Sequence, residues 1–369
     1  MQVGNKNYQS IWLDESDPTV VKVIDQKKLP FSFEICELRS VDEIYAAISD
    51  MTVRGAPLIG AAGAFAIYLA SLEMNPSTNS WQHLNNAARY ISSSRPTAVN
   101  LSWAVDHVRE RINGRICGRS ISETALEAAM EICKTEIENC RSIGKHGLSL
   151  IEKISKRKKG SPVNVLTHCN AGWLACIDYG TVTAPIYLAH EAGIPVHVWV
   201  DETRPRNQGA RLTTWELGQA GVPHTLIADN TGGHLMQHGM VDLVMVGCDR
   251  ATRRGDVANK IGTYLKALAA HDNKVPFYSL FPSTSFDFTI TDGIAEIPVE
   301  ERDEEEVKTV AGVSGKDVVA VRICPENTSA VNYGFDVTPA RLITGLITEK
   351  GICRADEKDI IKMFSDKFD

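Results

Sequence analysis

Several familiar signatures are missing from this chain. It has no Gly-x-Gly-x-x-Gly and no Gly-x-x-x-x-Gly-Lys-Ser/Thr, so the usual dinucleotide and Walker phosphate sites are disfavoured; "GVSGKD" at 312–317 has the wrong spacing. It has no Cys-x-x-Cys, and its nine cysteines are an odd number, which fits free thiols in a reducing compartment better than a disulfide framework. A zinc site through His168, Cys169 and Cys176 is considered, but tetrahedral ligand spacing is lacking. There is no excess of positive charge: the net charge is −7, so neither nucleic acid nor an anionic membrane is an expected partner. The opening "MQVGNKNYQSIWLDESD" lacks a basic segment followed by an apolar one, so no secretory leader is expected.

Long apolar runs are also scarce. One uncharged stretch, Ala56 to Leu72, is at the short limit for a membrane span. It is rich in Ala and Gly and has no companion, so it reads as a fully buried helix.

What the sequence does contain divides at about residue 157. Residues 1–157 read as a mainly helical domain with a small sheet in the first ~35 residues. "SVDEIYAAISDM" has a Ser N-cap and an acidic first turn. The basic stretch "KISKRKKGSPVN" reads as a linker, with a nuclear address as the alternative use of residues 156–159. Residues 158–369 alternate short apolar runs, at 163, 196, 224, 242, 276 and 317, with helix-like segments. That alternation predicts an α/β, doubly wound (Rossmann-like) parallel sheet with helices on both faces. The acidic run at 300–308 reads as a solvated loop or helix entrance.

In such sheets ligands bind beyond the carboxyl ends of the strands, at the topological switch point. If the strand order is 3-2-1-4-5-6, the first and fourth runs are neighbours there, and Cys169 and Asp249 follow those two runs. Each has a structural alternative, Cys169 as buried filler and Asp249 as a turn former. His168 and Cys169, being adjacent on a strand, point to opposite faces, so adjacency does not make them a dyad. Anion-binding candidates stand at helix starts: Arg54 and Gly55 before Pro57, Arg95 in "SSRPT", and Asn259 with Lys260 opening "NKIGTYLKALAAH".

Read in order, "VRGAPLIGAAGAFA", "SRPTAVNLSWAV", "THCNAG", "DETRPRNQGARLTTWEL", "GCDR", "GDVANKIGTY", "PFY" and "FDVTPARLITGLITEKG" resemble the methylthioribose-1-phosphate isomerase family, from about residue 30 to 352. The wider family includes ribose-1,5-bisphosphate isomerases and the non-catalytic regulatory subunits of translation initiation factor 2B. The resemblance implies an aldose–ketose isomerase of methionine salvage. It makes Cys169 and Asp249 catalytic, with Asp249 the proton donor. It makes Arg54, Gly55, Ala56, Arg95, Gln208, Asn259 and Lys260 substrate-binding. It implies a small sugar-phosphate substrate, no metal and no cofactor, a homodimer, and a cytoplasmic location, with the nucleus as a further possibility. Ala171 and Cys248 depart from the commoner Thr and Ala without replacing a reacting group. The presence of both Cys169 and Asp249 argues against the regulatory branch. Transfer of hydrogen from C2 to C1 as a proton or as a hydride stays open.

Overall fold

The computed structural model describes residues 1–74, 80–114 and 118–368. The N-terminal part opens with a short hairpin and a three-stranded antiparallel sheet, Ile11–Leu13, Val21–Ile24 and Ile35–Leu38. Helix α1 (Val41–Ser49) follows, its N-terminus capped by Ser40, whose side chain accepts from the Glu43 amide.

Helix α2 (Ala56–Leu72) is the uncharged run, and every residue of it except Leu72 is buried. It is encircled by α1, α3 (Ser80–Ser93), α4 (Val99–Asn113) and the first half of α5 (Ile121–Lys158). A helix apolar on all sides can be stable in water only when neighbours cover all of it. Among the described residues no helix is long and apolar enough to cross a membrane.

Helix α5 starts from a capping box made by Ser120 and Glu123 and runs for 38 residues. Its first half supplies Ala125, Ala128, Ala129 and Ile132 to the helical core, and its second half supplies Ile143, Ile151 and Ile154 to the core over the large sheet. Residues 156–158, expected in a linker, form its last turn. Cations there complement the helix dipole, and Lys158 pairs with Asp242 at 2.5 Å. The helix ends at Lys159 (φ 50°) and Gly160 (φ 95°).

The large sheet has seven strands: β1 (Val163–Thr167), β2 (Val196–Asp201), β3 (His224–Ile227), β4 (Leu243–Val246), β5 (Phe277–Leu280), β6 (Gly345–Thr348) and β7 (Gly351–Cys353). Their spatial order is β3-β2-β1-β4-β5-β6-β7. The first six are parallel and β7 is antiparallel on the edge. Strands β1 and β4 are therefore neighbours, with the switch point between them.

The sixth strand is not the run at 317. Asp317–Arg322 instead pairs antiparallel with Thr309–Ser314, and all six of its residues are exposed. Its β-branched residues do make a strand, but a two-residue loop, Gly315 and Lys316, returns it to its neighbour, with no crossover to carry it into the large sheet. A small sheet, Arg250–Thr252 and Val257–Lys260 with Phe286–Asp287 and Phe335–Thr338, leaves the large sheet just after β4. Asn259 and Lys260 lie on this sheet rather than at a helix start; the helix begins at Thr263 after Gly262.

Candidate active site

Beyond Thr167 the chain leaves the sheet sharply. Cys169 has φ 68°, a left-handed backbone that L-residues adopt at a cost and that is typical of functional sites. Three contacts hold it there. Its amide donates to Thr203 Oγ1 (2.8 Å), its carbonyl accepts from Thr213 Oγ1 (2.7 Å), and its Sγ lies 4.0 Å from an Arg54 Nη2.

Asn170 extends the arrangement. Its Oδ1 accepts from Arg54 Nη1 at 2.6 Å, while its Nδ2 donates to Thr213 Oγ1 and to Glu216 Oε1. Glu216 is fully buried and also accepts from the Trp173 and Leu174 amides and the Tyr187 hydroxyl. Burial nevertheless lifts its carboxyl to about 7. Gly172 makes room for it: a Cβ there would fall 1.7 Å from Glu216 Oε2. The two amides at the start of the one-turn helix Trp173–Cys176 bond Glu216 rather than the Cys169 sulfur. Positive charge near Sγ comes from Arg54 and Lys260.

Asp249 follows β4, its amide donating to Ala258 O. Among the described residues its carboxyl makes no hydrogen bond. Burial raises its pKa, opposed by Lys260, Arg95 and Arg54 and reinforced by Glu300; the net shift is upward. Lys260 is shifted down by burial, partly offset by facing Cys169 and Asp249, and its Nζ lies 5.0 Å from the Phe335 ring centre.

Gly55 (φ 97°) leads into α2 with Pro57 in the first turn, and a Cβ at Gly55 would meet Ala175 at 2.5 Å. Arg95 is buried. One Nη donates to Glu300 at 2.7 Å, and among the described residues its Nε has no partner. Gln208 is buried with its Oε1 unpartnered, and the Asn259 amide donates to Thr263.

One cleft, about 620 Å³ including its mouth, is lined by Arg54, Gly55, Ala56, Arg95, Cys169, Gln208, Asp249, Asn259 and Lys260, all nine residues singled out in the sequence. Its remaining walls include Met51, Thr181, Phe281, Pro282 and Phe335, which sequence reasoning did not pick out. Phe335 opens the quoted "FDVTPAR" stretch and Phe281 stands three residues beyond "PFY", so the signal was there as apolar residues at strand ends.

The zinc trio does not form. Both nitrogens of His168 are engaged, Nδ1 with Asp201 and Nε2 with the Ile261 carbonyl. His168, Asp201 and Asp229 do converge, but the Lys266 ammonium lies 3.1 Å from Asp201 and already supplies a cation there. All eight cysteines among the described residues are unpaired; Cys117 lies outside them.

With this geometry in view, the chain can be compared with known proteins. The model of the Initiation factor 2 subunit family matches residues 52–355. The methylthioribose-1-phosphate isomerase of Desulfatibacillum aliphaticivorans is 56% identical over 367 residues, spanning 100% of both chains. That of Sinorhizobium medicae is 53% identical over 369 residues, again 100% of each. Among solved structures, 5-methylthioribose 1-phosphate isomerase from Pyrococcus horikoshii OT3 superposes with a TM-score of 0.82 at 34% identity, covering 98% of this chain and 96% of that one. The translation initiation factor eIF-2B subunit delta from A. fulgidus gives 0.78 at 38% identity, covering 97% and 100%.

Proposed function

The chain belongs to the Initiation factor 2 subunit family, and from that premise we propose that it is an isomerase converting 5-methylthioribose 1-phosphate to 5-methylthioribulose 1-phosphate in methionine salvage. The observation that carries this reading is the sharing of one cleft by Cys169, Asp249 and three cationic side chains.

The substrate's anomeric oxygen carries phosphate, so its ring cannot open through a free hemiacetal. An acid must protonate the ring oxygen as its bond to C1 breaks. Asp249 is that acid: burial favours its neutral form, and its carboxyl faces the cleft without a protein hydrogen bond to give up. Cys169 acts on the hydrogen moving from C2 to C1, as base or as stabiliser of the electron-poor intermediate. Arg54, Arg95 and Lys260 hold the phosphate, with Gly55 and Ala56 offering backbone at the start of α2. Gln208 and Asn259 hold sugar hydroxyls; the unpartnered Gln208 Oε1 is free to accept one. The methylthio group takes the apolar wall of Met51, Phe281 and Pro282.

The working protein is a homodimer in this reading. The hairpin Thr309–Arg322 supports that, because Val318, Val319 and Val321 are exposed on both of its faces.

The direct test is incubation with methylthioribose 1-phosphate, following the ketose by NMR. Folded protein that leaves the aldose unchanged sinks the reading. Deuterium at C2 then separates the routes: retention on C1 of the product indicates hydride transfer, washout a proton route. The 38% identical eIF-2B subunit structure favours a second reading, a regulatory subunit. Stoichiometric co-purification with the other factor subunits, without turnover, supports that one instead.

A further inference from the structure

Glu300 opens the acidic run that the sequence presents as solvated, yet its carboxyl is only 19% exposed. It accepts from Arg95 Nη2 and from Arg302 Nη1, each at 2.7 Å. Its main chain is fixed as well: the Glu300 carbonyl accepts from the Gly334 amide, and Glu301 bridges to Tyr333, two residues before Phe335 in the cleft wall. Glu300 is thus a stationary carboxylate behind a cleft cation. Arg95 comes from the segment between α3 and α4, so the pair also ties the helical part to the segment beside the small sheet. A second tie, from Arg250 Nη2 to the Thr97 carbonyl at 2.8 Å, holds the same segment.

We infer that Glu300 is a positioning residue for the isomerisation: it fixes the Arg95 guanidinium at the cleft and offsets one of three cleft cations, matching the site to a single phosphate dianion. With Arg302 set against its own partner Glu306, three cleft cations less Glu300 leave two positive charges, equal and opposite to that dianion. The inference rests on the proposed function for its substrate, and on the Arg95–Glu300 geometry for its substance.

A second consequence follows at Asp249. That carboxyl is faced by Arg54 ahead of α2, Arg95 ahead of α4, Lys260 on the small sheet, and Glu300; Cys169 shares the cleft and Cys248 adjoins it in the chain. The cations favour the Asp249 anion, whereas Glu300 disfavours it. Glu300 itself, though burial raises it, is held below the usual carboxylate range by Arg95 and Arg302, so it is ionised when Asp249 must keep its proton. One fixed charge therefore limits anion affinity and preserves the acid, and removing it moves binding and turnover in opposite directions.

Glu300→Gln keeps an acceptor for Arg95 and removes the charge. We expect inorganic phosphate to bind about tenfold tighter by calorimetry. With methylthioribose 1-phosphate, KM falls, kcat at pH 8 falls, and the alkaline limb of the pH–rate profile moves about one pH unit toward acid. Arg302→Gln, which frees Glu300 from its other cation, shifts phosphate affinity and the alkaline limb the opposite way. It also keeps the test open if Glu300→Gln does not fold. A purely structural Glu300 gives weaker phosphate binding and an unmoved limb in Glu300→Gln; that result, or phosphate binding unchanged, overturns the inference. Wild-type protein that binds no phosphate overturns it as well. Wild-type protein that binds phosphate but turns nothing over removes the proposed function, and the phosphate titrations still decide the charge role.

Discussion

His168 Nδ1 lies 2.8 Å from Asp201 Oδ2, and its Nε2 lies 2.8 Å from the Ile261 carbonyl. A carbonyl only accepts, so Nε2 carries a proton. Asp201 Oδ2 also receives the Lys266 ammonium at 3.1 Å, so His168 and Lys266 share one carboxylate oxygen. The ring next to Cys169 is fixed at both nitrogens in a buried network with Lys266 and the fully buried Asp201, and Asp229 Oδ1 lies 3.9 Å from its Nδ1.

Asp201→Asn removes the carboxylate paired with the Lys266 ammonium, which keeps the Asp229 carbonyl. Removing one partner of a buried ion pair costs about 3–5 kcal/mol, and urea denaturation should show a loss of that order. Because Cys169 N and Asp201 O share Thr203 Oγ1, the strained backbone at Cys169 relaxes with the network. We expect kcat to fall more than KM rises. Wild-type stability in the variant would mean the network contributes nothing.

At Asp249 activity and stability separate. Asp249→Asn cannot donate the ring-opening proton and should lose about 10²–10⁴ in kcat, with phosphate binding retained. The folded-state pKa is raised, so the native carboxyl contributes stability that is present at low pH and is lost as pH rises through the folded value. The amide carries no such loss. The variant should therefore melt higher than wild type at pH 8, the difference shrinking toward pH 4. Full activity in Asp249→Asn, or in Cys169→Ser, would remove the role assigned to that residue.

Glu136 and Glu216 set a pH window for stability. Burial raises each from 4.5 to about 7. Each favours the folded state below its unfolded value, and that contribution is lost as pH climbs to about 7. The loss is about 3 kcal/mol per group at most. Glu136→Gln should flatten urea stability between pH 5 and 8. Glu216→Gln behaves differently: its amide NH₂ would face either the Asn170 and Leu174 amides or the Trp173 amide and Tyr187, donors in both cases, so it destabilises at every pH. It also loosens Asn170, and through it Arg54, so KM should rise. Equal, parallel pH curves for both variants and wild type would contradict this account.

Much of this site could be read from the chain because strand ends are legible. Apolar runs at 163 and 242 locate β1 and β4, and the doubly wound rule makes them neighbours. Cys169 and Asp249 then fall together at one switch point. The sixth strand was misplaced because Asp317–Arg322 is the more β-prone run, whereas Gly345–Thr348 owes its place to burial on both faces. Glu300 and Glu216 were illegible for another reason. A run such as "EERDEEEVK" does not say which carboxylate turns inward, and Glu216 sits in a helix pattern like any surface acid. Their roles depend on Arg95 and Asn170, which are 205 and 46 residues away in the chain.

The hairpin at 309–322 makes the last prediction. An isolated two-stranded ribbon is marginal in water, and alternate residues of a strand point to opposite faces. Val318 and Val319, both exposed, therefore leave apolar surface on both sides. Val331 and Tyr333, more than half exposed, and Leu265, 63% exposed, line a groove with Val307, two residues before the hairpin. A second copy of the chain is the partner proposed for it. Val319→Asp with Val321→Asp puts two charges on one face of the ribbon without touching the cleft. Light scattering should give twice the 40.5 kDa chain mass for wild type and 40.5 kDa for the double variant. A wild-type protein that already runs at 40.5 kDa excludes the dimer, and a double variant that stays at twice that mass places the interface elsewhere.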